Sequence, residues 1–362
     1  MGTSKKTVVI GMSGGVDSSV AALLLKRDYN VIGISLQVFD YSDFKECDLK
    51  GVCCSPEDVY DARQVALKLS IPFYVLNYRE KFKRIVIDNF ISEYLNGNTP
   101  NPCIICNEKI KFGEMLNFAI SIGADFIATG HYAINTPMNS IRLLRMGRDK
   151  HKDQSYFLYR LNQEKLKKIL FPIGNLTKEE VRKIAKENEL NIYNKRESHE
   201  ICFVPQNNYS ELIDKNIKTD MSGKIISSNG KVLGRHKGYY RYTIGQRRGL
   251  NINSNKPLYV IKINAEEKEI VVGEEKELYS NSFIIDNVNF IYKPEKIEDL
   301  DNVKVKIRYL SEPEYCKIKI ENNNKVFVTT KMPLRAITPG QSAVFYIEDI
   351  VLGGGIISEV IH

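Results

Sequence analysis

Three groups of residues have the types and spacing to do chemistry. The first is Ser13-Gly-Gly-Val-Asp-Ser-Ser19, which follows the β-branched run 7–10. Gly14 and Gly15 let a backbone approach an anion closely, and the N–H groups of a helix start behind them carry partial positive charge. Ser13, Ser18 and Ser19 add hydroxyl donors. Asp17 suits a phosphate only through a cation, so it reads as a Mg2+ contact. The Gly-Lys-Ser/Thr ending of the triphosphate P-loop is missing, and so is Gly-x-Gly-x-x-Gly. The second group is thiols: Cys103 and Cys106 in Pro102-Cys-Ile-Ile-Cys-Asn107, and Cys202 in Glu200-Ile-Cys-Phe203. Lys109 and Lys111 and a nearby helix start favour thiolate, which makes Cys106 a nucleophile. The same Cys-x-x-Cys spacing also suits a metal knuckle or a redox pair. The third group is polar: His131 behind Gly130, and the cation–aromatic pair Arg308-Tyr309, which suits phosphate contact and base stacking.

Each group has a plainer reading. The loop could be a Gly/Ser turn, and His131 a satisfied structural histidine. Lys152-Asp153-Gln154 alone reads as a solvated turn, and Arg308-Tyr309 as a solvated strand end. Cys316, inside an alternating pattern, reads as a small buried hydrophobe. Cys47, Cys53 and Cys54 lack the second Cys-x-x-Cys or His pair that a tetrahedral zinc site needs.

The elements that must hold these residues alternate at first. Strands are predicted over 7–10, 31–38, 72–76 and 125–129, with helices over 20–25, 56–69, 82–95, 109–122 and 177–190. Ser55 is the expected N-cap of the second helix, and Thr177 with Glu180 forms a capping box. Residues 96–106 and 194–206 are expected loops, and a further helix falls within 141–170. Alternation of this kind gives a doubly wound α/β domain with a parallel sheet, whose ligands sit at the carboxyl ends of the strands. Residues 11–18, Leu36 and Gly130-His131 all fall at such ends. From about residue 223 the pattern becomes short alternating segments between Gly, Asn and Pro, which predicts all-β structure in one or two barrels.

The chain has 362 residues, enough for two or three domains, with 43% apolar and 27% charged residues. A net charge of +8 suits a nucleic-acid partner. No run of 18 apolar residues exists, and no apolar signal segment opens the chain, so a cytoplasmic protein without membrane contact is expected. An odd set of seven cysteines speaks for thiol chemistry over structural disulfides.

The loop 13–19 resembles the pyrophosphate loop of the ATP pyrophosphatase superfamily, whose members adenylate a substrate and release pyrophosphate. The whole chain resembles the bacterial-type tRNA-specific 2-thiouridylases, which put sulfur on the wobble uridine. The matching stretches are 11–18, 101–107, Ala128-Thr-Gly-His-Tyr132, Lys152-Asp-Gln-Ser-Tyr-Phe157, 200–203, Gly245-Gln-Arg-Arg-Gly249, Pro333-Leu-Arg-Ala336 and Pro339-Gly-Gln-Ser-Ala343, in the family's order from end to end. The resemblance implies that Gly11, Met12, Ser13, Gly14, Gly15, Val16, Asp17, Ser18, Leu36 and Gly130 bind ATP with Mg2+. It implies Cys106 as catalytic nucleophile and Cys202 as persulfide carrier. Asn101, Cys103, His131, Lys152, Asp153, Gln154, Arg308, Tyr309 and Gln341 would touch the anticodon stem-loop of tRNA, and a cysteine desulfurase or sulfur-relay protein would load Cys202. The implied domains are 1–205 (catalytic, ATP pyrophosphatase-like), 206–280 (small central β) and 281–362 (C-terminal β-barrel).

In one respect the chain departs from the family. Many members carry Asp where Cys103 stands, so Cys103 either takes over proton chemistry or joins Cys106 and Cys202 as ligands of an iron–sulfur cluster with one open iron. Two further readings remain: an amide synthetase on a small substrate, which has no need of the two distant cysteines, and a non-catalytic RNA-binding protein, which has no need of the loop.

Overall fold

The computed structural model describes residues 5–38, 55–195, 201–204, 208–322 and 324–361. The chain divides into two compact units. One comprises Met1–Ile87, Pro102–Asn208 and Asp349–Val351, the other Asp88–Asn101, Tyr209–Glu348 and Leu352–His362. Cys47, Cys53 and Cys54 lie outside the described residues, as do His199 and Glu200.

The first unit contains β1 (Thr7–Gly11), β2 (Asn30–Gln37), β3 (Phe73–Asn77), β4 (Phe126–Ala128), β5 (Ala133–Met138), β6 (Ile141–Met146) and β7 (Ile169–Leu170). Five of them form a sheet in the order β3-β2-β1-β4-β7, with every neighbour parallel. Val8, Val9 and Ile10 have no exposed surface, so β1 is covered on both faces. The period of two decides which side chain goes where. Val8 and Ile10 pack with α1 (Val16–Leu25), α2 (Pro56–Lys68) and the helix Lys178–Glu187, while Val9 packs with Ile34 and Ala119 on the opposite face. This is the doubly wound α/β domain the alternation predicts.

Both predicted caps are present. Ser55 and Asp58 exchange side-chain bonds with each other's backbone N–H, and Thr177 does the same with Glu180. Three elements differ from expectation. α1 begins at Val16, four residues early, because the Ser18 and Ser19 hydroxyls donate to Gly15 O and close the first turn. Pro102 starts a helix that continues as a π-helix, Cys106–Glu114, and an α-helix, Met115–Ser121; proline is admitted in a first turn because its missing N–H is an orphan there. Cys106 therefore stands inside a helix and not in the expected loop. The hairpin β5–β6 has no counterpart among the predicted strands and takes up the start of the stretch 141–170 in which only a helix is expected, since Pro137 and Arg142 break the strand pattern; Asn139, at φ 53°, makes its two-residue turn.

The second unit holds β8 (Gly223–Ser227), β9 (Val232–His236), β10 (Tyr259–Asn264) and β11 (Glu269–Gly273) in a sheet of order β10-β11-β8-β9. Beyond it, β12 (Tyr279–Phe290), β13 (Lys304–Lys306), β14 (Glu314–Asn322), β15 (Lys325–Arg335), β16 (Ser342–Ile347) and β17 (Ile350–Ile361) run in the order β12-β15-β14-β13-β16-β17. β17 pairs back to β12 and closes a six-stranded barrel, so no edge is left open. Phe283, Ile285, Val326, Val328 and Phe345 fill it, each without exposed surface. No helix among the described residues is long and apolar enough to cross a membrane.

Cys316 lies in β14 at 4% exposure, and burial followed by the Glu314 charge pushes its thiol up to about 12. It is a buried hydrophobe, as its pattern implies. Cys316→Ser should lower stability by about 1–3 kcal/mol, the cost of hiding a hydroxyl, read as a shifted urea midpoint with an unchanged slope.

Candidate functional site

A cleft of about 420 Å3 opens beyond the carboxyl ends of β1, β2 and β4. Strand order reverses at β1, which has β2 on one side and β4 on the other, so this is the switch point where open α/β sheets take ligands. The loop between β1 and α1 forms its floor. Gly14 is at φ +72°, and a Cβ there would lie 2.1 Å from Asp58 O. A Cβ on Gly130 would lie 2.6 Å from Ser18 N. Only glycine lets α2 and the end of β4 press this closely on the loop. At Gly15 the nearest atom to an added Cβ is Ser13 Oγ, 3.6 Å away, so that side is open. The first-turn N–H groups of α1 lack intrahelical acceptors and lie beside this opening. Open backbone, orphan donors and a helix start fit an anion. Ser19 does not serve as a donor here: it is fully buried and its hydroxyl returns to Gly15 O at 2.9 Å.

The cleft gathers Gly11, Met12, Ser13, Gly15, Val16, Asp17 and Ser18 with Leu36 and Gly130, while Gly14 lies behind the lining against α2. Met12 is 1% exposed, packed over Gly33. Asp17 is already engaged: Lys178 Nζ lies 2.8 Å from both of its oxygens, and Tyr132 OH donates to Oδ1 at 2.7 Å. One carboxylate in an anion loop fits a Mg2+ shared with phosphates, which supply the other oxygens.

Cys103, Cys106 and Cys202 line the same cleft, Cys103 exposed and the other two half-buried. Phe203 packs edge-on against Phe82 at 5.7 Å and fixes the chain beside Cys202. Two residues beyond Cys106, Glu108 is bound by Arg160 and Lys109. Burial opposes its charge, but the two cations prevail and lower its pKa. Among the described residues no three Cys, His, Asp or Glu side chains gather closely enough to hold a metal. The three cysteines share the cavity and, among the described residues, do not stand as a ready three-ligand group for a cluster.

His131 and Gln154 also line the cleft. His131 is 8% exposed, bonded through Nδ1 to Thr129 Oγ1 at 2.7 Å and flanked by Phe112 and Phe171. Burial, then the charge of Lys111, pushes its pKa well below the usual value, so the ring is neutral. Gln154 Oε1 accepts from Tyr132 N at 3.1 Å. Lys152 and Asp153 are not among the lining residues. Asp153 is 5% exposed, and its carboxylate accepts from Gly147 N, Ser155 N and Ser155 Oγ, holding its own turn.

The remaining polar candidates belong to the second unit. Gln341 Nε2 donates to Thr99 O at 2.7 Å, and Thr99 N to Pro339 O at 2.9 Å, which places Asn101 two residues from this link. Arg308 donates to Ala336 O and, at 3.0 Å, to Thr338 Oγ1. The segment 336–341, which carries Gln341, thus binds two distant stretches, one at Thr99 just before Asn101 and one at Arg308. Arg308 and Tyr309 are not on a strand: β13 stops at Lys306, and Ser311 N bonds to Arg308 O in a turn. Lys306 Nζ lies 5.6 Å from the Tyr309 ring centre.

Sequence reasoning missed three charged residues of the cleft, Lys178, Asp58 and Lys195, and the buried Tyr132 that bonds to Asp17. Lys195 Nζ binds Asp58 Oδ1 at 2.7 Å and also Asp61, tying the start of α2 to the chain that leads towards Cys202. A signal for Lys178 existed. The capping box fixes it as the first helical residue, where a positive charge opposes the helix dipole.

A glycine loop at the switch point of a helix-covered parallel sheet is the build of a HUP-type domain, here followed by a four-stranded sheet and a closed β barrel. Family models match accordingly: a tRNA methyl transferase HUP domain over residues 6–206, a tRNA methyl transferase PRC-barrel domain over 210–274 and an aminomethyltransferase beta-barrel domain over 280–357. The tRNA-specific 2-thiouridylase MnmA of Caldicellulosiruptor saccharolyticus is 48% identical over 360 residues, covering 99% of both chains. That of Acetivibrio thermocellus is 49% identical over 358 residues, 98% of this chain and 99% of its own. The chain belongs to the tRNA-specific 2-thiouridylase MnmA family. Among solved structures, NMN synthetase from Francisella tularensis overlaps 53% of this chain and 66% of its own at 18% identity and a TM-score of 0.33, too low to carry an argument.

The neutral His131 makes a pH prediction. The unfolded chain takes up a proton near pH 6.5 that the folded ring refuses, so stability falls as pH drops below 6.5. The slope from this group is at most about 1.4 kcal/mol per pH unit. Urea unfolding of His131→Gln between pH 7 and 5 should show a smaller loss than the parent chain.

Proposed function

We propose that this protein thiolates the wobble uridine of tRNA at C2, using ATP and a cysteine-borne sulfur. The observation that carries the reading is the meeting of the 11–18 loop with Cys106 and Cys202 in one cleft. ATP is a substrate here. Its phosphates take the open backbone at Gly15 and the first turn of α1, and Leu36 and Gly130 border the nucleotide. Mg2+ entering with ATP supplies charge neutralisation, with Asp17 as its protein ligand. The uracil O2 attacks the α-phosphate, and pyrophosphate leaves.

Sulfur arrives as a Cys202 persulfide from a desulfurase or relay protein. Two routes balance. In one, the Cys106 thiolate attacks the Cys202 sulfur and frees hydrosulfide, which displaces AMP from C2. In the other, the persulfide displaces AMP itself, and Cys106 then attacks Cys202 and releases the thiolated base. Both end with a Cys106–Cys202 disulfide, and a dithiol reductant resets the enzyme. A stacked uridine hides its reactive edge, so the anticodon loop must open to present it.

We assign tRNA contact to His131 and Gln154 at the cleft, to Lys152 and Asp153 beside it, and to the Asn101–Arg308–Tyr309–Gln341 group. Asn101 leads directly into Cys103. Cys103, exposed in the cleft and standing where many family members carry Asp, is taken as the group that faces the target base. The working domains are 1–205 for catalysis, 206–280 as the central module and 281–362 as the barrel.

The full chain, incubated with transcribed tRNA, ATP, Mg2+ and a persulfide donor, should give tRNA retarded on a mercury gel. Cys106→Ser and Cys202→Ser should each reduce this by two orders of magnitude or more, since a neutral hydroxyl neither attacks sulfur at pH 7 nor carries it. Cys103→Asp should keep substantial activity. Thiolation by either serine variant at the parent rate overturns the sulfur route, and thiolation without ATP overturns the adenylation step.

A further inference from the structure

Both sulfur routes end on a Cys106–Cys202 disulfide, and that bond must open before Cys202 can be loaded again. Its two sulfurs belong to half-buried residues inside the cleft, where a reductant arriving from solution has poor access. Cys103 is the third cysteine of the same cavity, and it is exposed. It stands three residues before Cys106 in helical backbone. Pro102–Ile105 is α-helix, Ile105 keeps helical angles at φ −64° and ψ −41°, and Cys106 opens the π-helix. Three residues of helix bring two Cα atoms to about 5 Å, inside the window that a disulfide spans. Pro102 and Ile104 are buried and hold this turn in place, so the two thiols stay one turn apart. Cys202 sits on a distant segment, whose position Phe203 fixes against Phe82. A carboxylate, which many members of the family carry where Cys103 stands, cannot exchange with a disulfide. A thiol can.

We propose that Cys103 is the resolving thiol of the sulfur-transfer cycle. Once the thiolated tRNA has left, the Cys103 thiolate attacks Cys106 Sγ. The Cys103–Cys106 bond forms as the Cys106–Cys202 bond breaks, and the electron pair of the broken bond leaves on Cys202 Sγ, which is then open to reloading. No net redox change accompanies this exchange. Attack falls on Cys106 because only two residues intervene, which gives a far higher effective concentration there than at the segment carrying Cys202. The disulfide has thereby moved onto an exposed residue. A dithiol from solution then attacks Cys103 Sγ, closes to its own disulfide and returns two electrons and two protons to the Cys103–Cys106 pair. Cys103 thus serves the target base during modification and Cys106 after it, with departure of the tRNA between the two duties. This rests on the reading of Cys106 and Cys202 as the sulfur-transfer pair.

The test maps the disulfide after a single round. Full-chain protein, kept under nitrogen without reductant, is mixed with tRNA, ATP, Mg2+ and an equimolar persulfide donor, then quenched in acid, alkylated and digested for mass spectrometry. The parent should hold Cys103–Cys106 as its main disulfide with Cys202 alkylated, whereas Cys103→Ser should hold Cys106–Cys202. A second readout compares reductants of different size. In the parent, steady-state thiolation driven by a small dithiol should exceed that driven by a protein dithiol by no more than a few-fold. In Cys103→Ser and Cys103→Asp the excess should be about tenfold or more, because the protein dithiol no longer meets an exposed disulfide. Taking the ratio within each chain removes any effect of the substitution on thiolation itself. If the parent accumulates Cys106–Cys202 with Cys103 alkylated, or if the Cys103 variants keep the parent's ratio, Cys103 takes no part in resolution and the proposal is overturned, with the sulfur route standing. If tRNA is thiolated while the parent carries no disulfide, the two-cysteine route itself fails and this proposal with it.

Discussion

The first unit depends on how closely three backbones approach one another at the start of α1. Asp58 O of α2 lies where a side chain on Gly14 would begin, and Ser18 N where one on Gly130 would begin. No side chain can stand between these segments without driving them apart. The loop is therefore fixed from both sides by main chain, which has no rotamers to change. Fixing it this way leaves the third side, at Gly15, open and lined with unspent donors. An anion site of this kind needs no reorganisation when its ligand arrives, and preorganised dipoles of that sort make electrostatic stabilisation effective.

Charge in the cleft follows a second rule. Two acidic side chains line it, Asp17 and Asp58, and each faces a lysine, Lys178 and Lys195. Lys111 lines it as well, so lysines outnumber carboxylates. A cleft balanced towards positive charge suits a triphosphate and an RNA backbone, and a net charge of +8 extends the tendency to the whole chain. His131 stays neutral within this field, since burial and Lys111 both disfavour its proton. It can hydrogen-bond a base but is not a standing cation for phosphate.

The site residues divide by how far their partners lie along the chain. The 11–18 loop was legible because its parts are adjacent: strand, glycines and helix start occur in order, and local backbone chemistry decides their shape. The caps at Ser55 and Thr177 were legible for the same reason. The start of the 102–121 helix was not, because Pro102 is equally at home in a loop and in a first turn, and only packing chose between them. Arg308 and Tyr309 lie two and three residues past the strand that was expected to hold them, since a strand end depends on where its neighbours stop pairing.

By itself the sequence determined the class of the fold, the glycine loop between the first strand and helix, and which cysteines are candidates for chemistry, because each rests on residue types within a few positions of one another. The tertiary structure alone decided that Lys178 meets Asp17, that Asp153 is spent on its own turn, and that Cys103, Cys106 and Cys202 share one cavity. Those are statements of distance between segments tens to more than a hundred residues apart. Side-chain reach is a few ångströms, and only the packed sheet and its covering helices set which residues come within it.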